Sequence, residues 1–280
     1  MNSNPIAVFD SGLGGLSVVR HLRQRLAGED IVYFGDTARV PYGSKSRQTV
    51  VTFALEAANF LLQFEPKLIV AACNTASALA LTELRSELPV PVIDVVQPGA
   101  CAASARAGGR PIAVIGTEAT VGSGSYPAAI RSIRPGQPVL QKACPLFVPL
   151  VEEGRSCDDP LVKMAVEEYL IPLRRQGIGV VILGCTHYPL LRAAIAECLG
   201  PEIEIIDSGQ ETSLAVQQHL RECGSLCPSA RRGNINCYVS DNDIRFREVG
   251  SRFLNEVIEN VEFVEPERYI SINTAARHFS

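Results

Sequence analysis

No stretch of the sequence is crowded with lysine and arginine. Its 26 basic and 30 acidic residues are interspersed and leave a net charge of −4, so the basic stripe that binds nucleic acid is missing. Long hydrophobic runs are missing as well. Residues 68–72 and 180–183 have the length of buried strands, far short of the roughly 20 apolar residues that cross a bilayer. Residues 1–5 show neither the basic start nor the apolar stretch of a secretory signal. These absences predict a soluble, cytoplasmic protein with no nucleic-acid and no membrane partner. A disulfide framework is also lacking, because the nine cysteines are odd in number and have no tight spacing. In a reducing compartment such thiols are core residues, metal ligands or catalysts.

What is present is a regular alternation. Strands are predicted at residues 6–9, 31–34, 68–72 and 92–95, separated by helices at 17–26, 46–63 and 75–86. The longest of these helices carries Val50, Phe53, Ala57, Phe60 and Leu61 on one face. After Gln97-Pro98-Gly99 a second series begins with a short helix. It continues with strands at 112–115, 139–143, 180–183 and 203–206, and helices at 126–133, 161–175 and 190–198. Beyond Asp207-Ser208-Gly209 come a helix, a polar loop at 227–233, a strand at 235–239 and a last helix–strand unit reaching 264. Residues 266–280 read as a tail. Repeated β-α-β order implies an α/β fold with mainly parallel sheets flanked by helices. The expected division is one domain from 1–97 plus 208–280 and another from 98–207.

One internal comparison organises the rest. Ile6-Ala7-Val8-Phe9-Asp10-Ser11 is echoed by Ile112-Ala113-Val114-Ile115-Gly116-Thr117. Likewise, the strand ending Ala72-Cys73-Asn74-Thr75 is echoed by the one ending Gly184-Cys185-Thr186-His187. Two strand-then-loop elements in the same order, at nearly the same offset, indicate two pseudo-symmetric halves. Open parallel sheets bind ligands at the carboxyl ends of their strands, where Cys73 and Cys185 both fall. The helix after each cysteine favours thiolate through its partial positive charge, whereas burial favours the thiol.

Two thiols facing one molecule across a cleft suit a particular chemistry. One face of a carbon loses its proton to a base while the other face receives one from an acid. A free cysteine pKa of about 8.5 serves both roles, and the reaction calls for no metal and no cofactor. Cys101, Cys144, Cys157 and Cys198 lack the matched placement and read as core residues.

Polar groups surround the same strand ends. Asp10 and Ser11 lie beside Gly12, Gly14 and Gly15, which let backbone N–H groups approach a carboxylate or phosphate. Asp36-Thr37 ends the second strand, and Pro41-Tyr42-Gly43-Ser44 forms a turn with donors and hydroxyls. His187, two residues past Cys185, can stabilise a thiolate or shuttle a proton.

Rival chemistries fit less well. The glycine turn and Asp36 suggest a nucleotide-binding oxidoreductase, but the third fingerprint glycine is Ser17, and Asp10 would repel a pyrophosphate. A thiol phosphatase needs arginine six positions after its cysteine, where Leu79 and Leu191 stand. His219, Cys223 and Cys227 are spaced as a helical metal set, without the tight cysteine pairs of structural zinc.

The segments Val8-Phe9-Asp10-Ser11-Gly12-Leu13-Gly14-Gly15, Tyr33-Phe34-Gly35-Asp36-Thr37, Pro41-Tyr42-Gly43, Ala72-Cys73-Asn74-Thr75-Ala76 and Leu183-Gly184-Cys185-Thr186-His187-Tyr188-Pro189-Leu190 together resemble the glutamate racemase family. The likeness runs from the first strand to about residue 264. It implies a two-domain pseudo-symmetric fold with the substrate in the cleft, and interconversion of L- and D-glutamate to supply D-glutamate for bacterial peptidoglycan. It also implies a homodimer. On this resemblance Cys73 deprotonates D-glutamate and Cys185 L-glutamate, assisted by Asp10 and His187, with Glu152 a further catalytic candidate. Asp10, Ser11, Pro41, Tyr42, Gly43, Asn74, Thr75, Thr117, Thr186 and His187 hold the substrate beside the two cysteines. The short lead before the first strand argues against activation by a cell-wall precursor. Racemisation of another acidic amino acid such as aspartate is the chemical alternative, since pocket depth is not written in the motifs.

Overall fold

Strands buried on both faces must be covered by helices on both sides, and that requirement sets the architecture. The computed structural model describes residues 2–228 and 231–270. Strands β1 (Ile6–Asp10), β2 (Ile31–Gly35), β3 (Leu68–Ala71), β4 (Val92–Asp94), β9 (Ile235–Val239) and β10 (Val261–Phe263) form one sheet in the order β10-β9-β2-β1-β3-β4. Strands β5 (Ile112–Gly116), β6 (Val139–Ala143), β7 (Val180–Gly184) and β8 (Glu204–Asp207) form a second, in the order β6-β5-β7-β8. Every neighbouring pair is parallel. The order β2-β1-β3-β4 matches β6-β5-β7-β8, so the repeated motifs sit on equivalent strands of two pseudo-symmetric sheets. β9 and β10 have no counterpart.

The helices are α1 (Leu16–Arg25), α2 (Arg47–Leu62), α3 (Asn74–Glu87), α4 (Val96–Arg106), α5 (Glu118–Ser123), α6 (Ser125–Ile133), α7 (Phe147–Glu152), α8 (Pro160–Arg174), α9 (Arg192–Leu199), α10 (Ser208–Glu222) and α11 (Asp243–Leu254). Alternate strand residues point to opposite faces, which divides the core in three. Ile6, Val8, Leu68 and Val70 join Ala113, Ile115, Val181 and Leu183 in one cluster spanning both sheets. Ala7, Phe9, Ile69 and Ala71 pack on α2 and α3, while Ile112, Val114, Val180 and Ile182 pack on α4 and α6.

Several local expectations are corrected. Gln97, Pro98 and Gly99 lie inside the first turn of α4 rather than before it, because the Asp94 carboxylate accepts the amides of Val96 and Gln97 at 2.7 and 2.8 Å. Proline at such a position forfeits no helical bond. In the same way Asp207 caps α10, drawing Ser208 and Gly209 into the helix. The six-residue helices α5 and α7 are too short to show a period. The 190–198 helix opens with a 3-10 turn, Tyr188–Leu191. Residues 266–270 are not a tail: Pro266–Arg268 form a turn, and Tyr269 is buried against Phe34 with ring centroids 5.5 Å apart. Residues 271–280 lie outside the described residues. Cys144 is buried as expected, but Cys101 is exposed, and Cys157 and Cys198 are half-buried. α4 turns Cys101 away from the sheet, where buried Ala100 and Ala103 face it.

Candidate active site

Four equivalent strand ends converge on one tight cavity of about 40 Å³. Ser11 follows β1, Cys73 follows β3, Thr117 follows β5 and Cys185 follows β7. The wall also includes Gly12, Val40, Pro41, Tyr42, Gly43, Asn74, Thr75, Val148, Glu152, Thr186 and His187. Both cysteines, from opposite sheets, therefore open onto the same space, and each is about 5% exposed.

Cys73 is the residue at which α3 begins. Its sulfur accepts the amide of Ala76 at 3.5 Å and lies 3.6 Å from the Ser11 hydroxyl. The expected gain from the helix end is present but loses. Burial and the neighbouring Asp10 charge push the thiol up to about 12, against the hydrogen bonds with Ala76 and Ser11. Cys73 is a thiol here. Asp10 itself lies behind the wall rather than on it, fully buried, with one oxygen accepting the Gly12 amide at 3.0 Å and the other without a partner. Burial raises its carboxyl above the usual range, opposed by the charge of His187.

The opposite wall carries a different set of partners. Nδ1 of His187 lies 3.9 Å from the Cys185 sulfur, and Nε2 lies 3.0 Å from a Glu152 oxygen. Burial resists charge on this imidazole, yet its contacts with Cys185 and Glu152 outweigh that and bring it up to about 10. The hydrogen bond to His187 holds the Glu152 carboxyl below its ordinary value. His187 thus bridges the Glu152 carboxylate and the Cys185 sulfur. α11 completes this wall: Phe253 packs edge-on against the His187 ring at 5.1 Å, and Arg245 stands 3.9 Å from Glu152.

Hydroxyls and an amide line the floor. Thr75 and Thr117 are 3.0 Å apart, and Thr120 closes a triangle with them. The Tyr42 hydroxyl is turned away to donate to Asp36, so that loop offers backbone and ring rather than a free phenol. The glycines do not form an open cradle. A side chain at Gly14 would sit 2.3 Å from the Thr186 hydroxyl and 2.6 Å from the His187 ring, and one at Gly43 would sit 2.8 Å from Thr117. They bring the two halves together, and a pyrophosphate has no room at this turn.

A family model described as Asp/Glu/Hydantoin racemase matches residues 11–216. The chain belongs to this racemase family. Among its relatives, the glutamate racemase of Geobacter metallireducens is 46% identical over 262 residues, covering 94% of this chain and 97% of the relative. A solved glutamate racemase isoform of Bacillus anthracis aligns with TM-score 0.91 at 37% identity, covering 95% and 98% of the two chains. The Francisella tularensis glutamate racemase, solved in complex with D-glutamate, aligns with TM-score 0.89 at 37% identity over 96% of this chain and all of that one. Like these racemases, the chain is an isomerase.

Within this racemase framework the structure gathers Ser11, Pro41, Tyr42, Gly43, Cys73, Asn74, Thr75, Thr117, Glu152, Cys185, Thr186 and His187 at one cavity and leaves Asp10 beneath it. Gly12 joins it from the glycine turn, while Val40 and Val148 line it without having been singled out from sequence; Val148 sits on a helix that shows no period. His219 and Cys223 are 3.8 Å apart, and among the described residues no group of three or more His, Cys, Asp or Glu is placed to hold a metal ion. Among the described residues no helix is long and apolar enough to cross a membrane.

Proposed function

We propose that this racemase interconverts L- and D-glutamate by two-thiol proton transfer at Cα. One observation carries the reading: cysteines at equivalent strand ends of two pseudo-symmetric sheets open onto one cavity. A proton must leave one face of a planarising carbon and arrive at the other, and two acid–base groups on opposing walls meet that need. Cys73, held as a thiol, is the acid toward a carbanion, while Cys185 works with His187. Asp10, buried behind the wall with its charge felt at Cys73, assists that cysteine when the direction reverses. Hydroxyls of Ser11, Thr75, Thr117 and Thr186, with the Tyr42-Gly43 backbone, supply donors for two carboxylates, and Asn74 lines the same cavity. Relatives named glutamate racemase at 42–46% identity support the substrate. The role that follows is supply of D-glutamate for peptidoglycan by a homodimer in the cytoplasm.

The test is deuterium incorporation at Cα in heavy water, with each enantiomer of glutamate and of aspartate. Wild type is expected to exchange and racemise glutamate, while Cys73→Ser and Cys185→Ser each lose roughly 10²–10⁴-fold. Undiminished turnover by Cys73→Ser would end the two-thiol reading. Preferential exchange of aspartate would replace the substrate.

A further inference from the structure

Asn74 follows Cys73 directly, and its carboxamide is held from the other half of the molecule. Its Nδ2 donates to the Tyr126 hydroxyl at 2.9 Å and approaches the Ser208 hydroxyl at 3.4 Å. Its Oδ1 is buried and has no partner. Tyr126 is on α6 and Ser208 opens α10, where the chain leaves the four-stranded sheet. Both are buried.

Which way the amide faces follows from counting protons. A serine hydroxyl has one hydrogen to give, and Ser208 gives it to the Leu183 carbonyl at 3.0 Å. Toward Asn74 it can only accept. The Tyr126 hydroxyl, on the same side, accepts from the same nitrogen. The group facing the pair must therefore be the NH₂ of Asn74, which turns the oxygen away from them, on a residue that is itself part of the cavity wall. A buried acceptor without a donor costs free energy, and an amino-acid substrate brings a donor in its ammonium group.

We propose that Tyr126 and Ser208 are positioning residues that lock the Asn74 carboxamide with its oxygen toward the cavity, as the acceptor for the substrate ammonium. This rests on the glutamate reading above. Removing either hydroxyl frees the amide to rotate and present a donor where the ammonium lies. Neither residue touches the reacting carbon, so binding suffers more than turnover.

The experiment compares Tyr126→Phe and Ser208→Ala with wild type, using steady-state kinetics and inhibition by glutarate, a diacid that lacks the ammonium group. In at least one variant KM for both glutamate enantiomers is expected to rise about tenfold, the size of a lost charge-assisted hydrogen bond, with kcat within threefold. The glutarate inhibition constant is expected to stay within twofold. Unchanged KM in both variants would overturn the proposal. So would a parallel rise of KM and the glutarate constant, which marks a general loss of pocket shape. Should wild type fail to racemise glutamate, the failure lies with the substrate reading, and glutarate binding alone is then expected to be equal in all three proteins.

Discussion

Cys73 and Cys185 occupy equivalent strand ends, yet their partners differ. Cys73 sees a buried carboxyl, Asp10, and two neutral groups, the Ala76 amide and the Ser11 hydroxyl; Cys185 sees a histidine already paired with Glu152. The second arrangement has a signature in stability. The folded-state pKa of His187, about 10, lies above the ordinary 6.5. A raised basic group contributes stability that is full below the unfolded value and fades as pH climbs through the folded one. The pair with Glu152 is therefore strongest below pH 6.5, down to the acid range where Glu152 takes a proton, and is lost toward pH 10. Glu152→Gln is expected to melt below wild type in mildly acidic buffer, with the two melting temperatures converging as pH approaches 10. A gap that widens in alkali would show that the pair does not carry the shift.

At the scale of elements, loops do the joining. The turn between β1 and α1 presses Gly14 against Thr186 and His187 of the other half, and Ser17 donates to the Thr186 carbonyl at 2.9 Å. Gly14→Ala places a methyl 2.3 Å from the Thr186 hydroxyl, so the strand-end loops must separate. The expected result is a loss of about 1–3 kcal/mol in denaturant unfolding with activity down at least tenfold; wild-type activity in Gly14→Ala would show that the contact is slack. The strands, their parallel order and both thiols are legible in the sequence because burial on two faces and a repeated strand-plus-polar-end motif leave plain marks. Three features are not. The Gly12–Gly15 turn reads as an anion cradle because glycine reports close approach without saying to what. α7, which brings Glu152 to His187, is a six-residue helix with no visible period. The depth of Asp10, and with it the outcome at Cys73, depends on how completely the sheets close over that side chain.

At the scale of the molecule, the two halves are shut. A cavity of about 40 Å³ holds a few water molecules, and both sulfurs are nearly covered, so the sheets are expected to part when an amino acid enters. Contacts that resist parting include Ser17 to Thr186, Asn74 to Tyr126, and His21 to Asp207 at 3.1 Å. Alkylation followed by peptide mass mapping reads that motion. Exposed Cys101 and Cys223 are expected to react first and Cys73 and Cys185 far more slowly, with glutamate slowing the latter pair further. Equal rates at all four would mean that the closed form is not the resting one.

The unmatched strands β9 and β10 carry α11 across to His187 and Glu152, so one wall has a buttress that its twin lacks. Mirror-image molecules have the same free energy in water, and an enzyme cannot tilt an equilibrium that is level. Whatever α11 does to its own wall is therefore felt as much on the uphill-looking trip as on the return. The lopsided scaffold decides which elementary step is slowest, and never which enantiomer prevails.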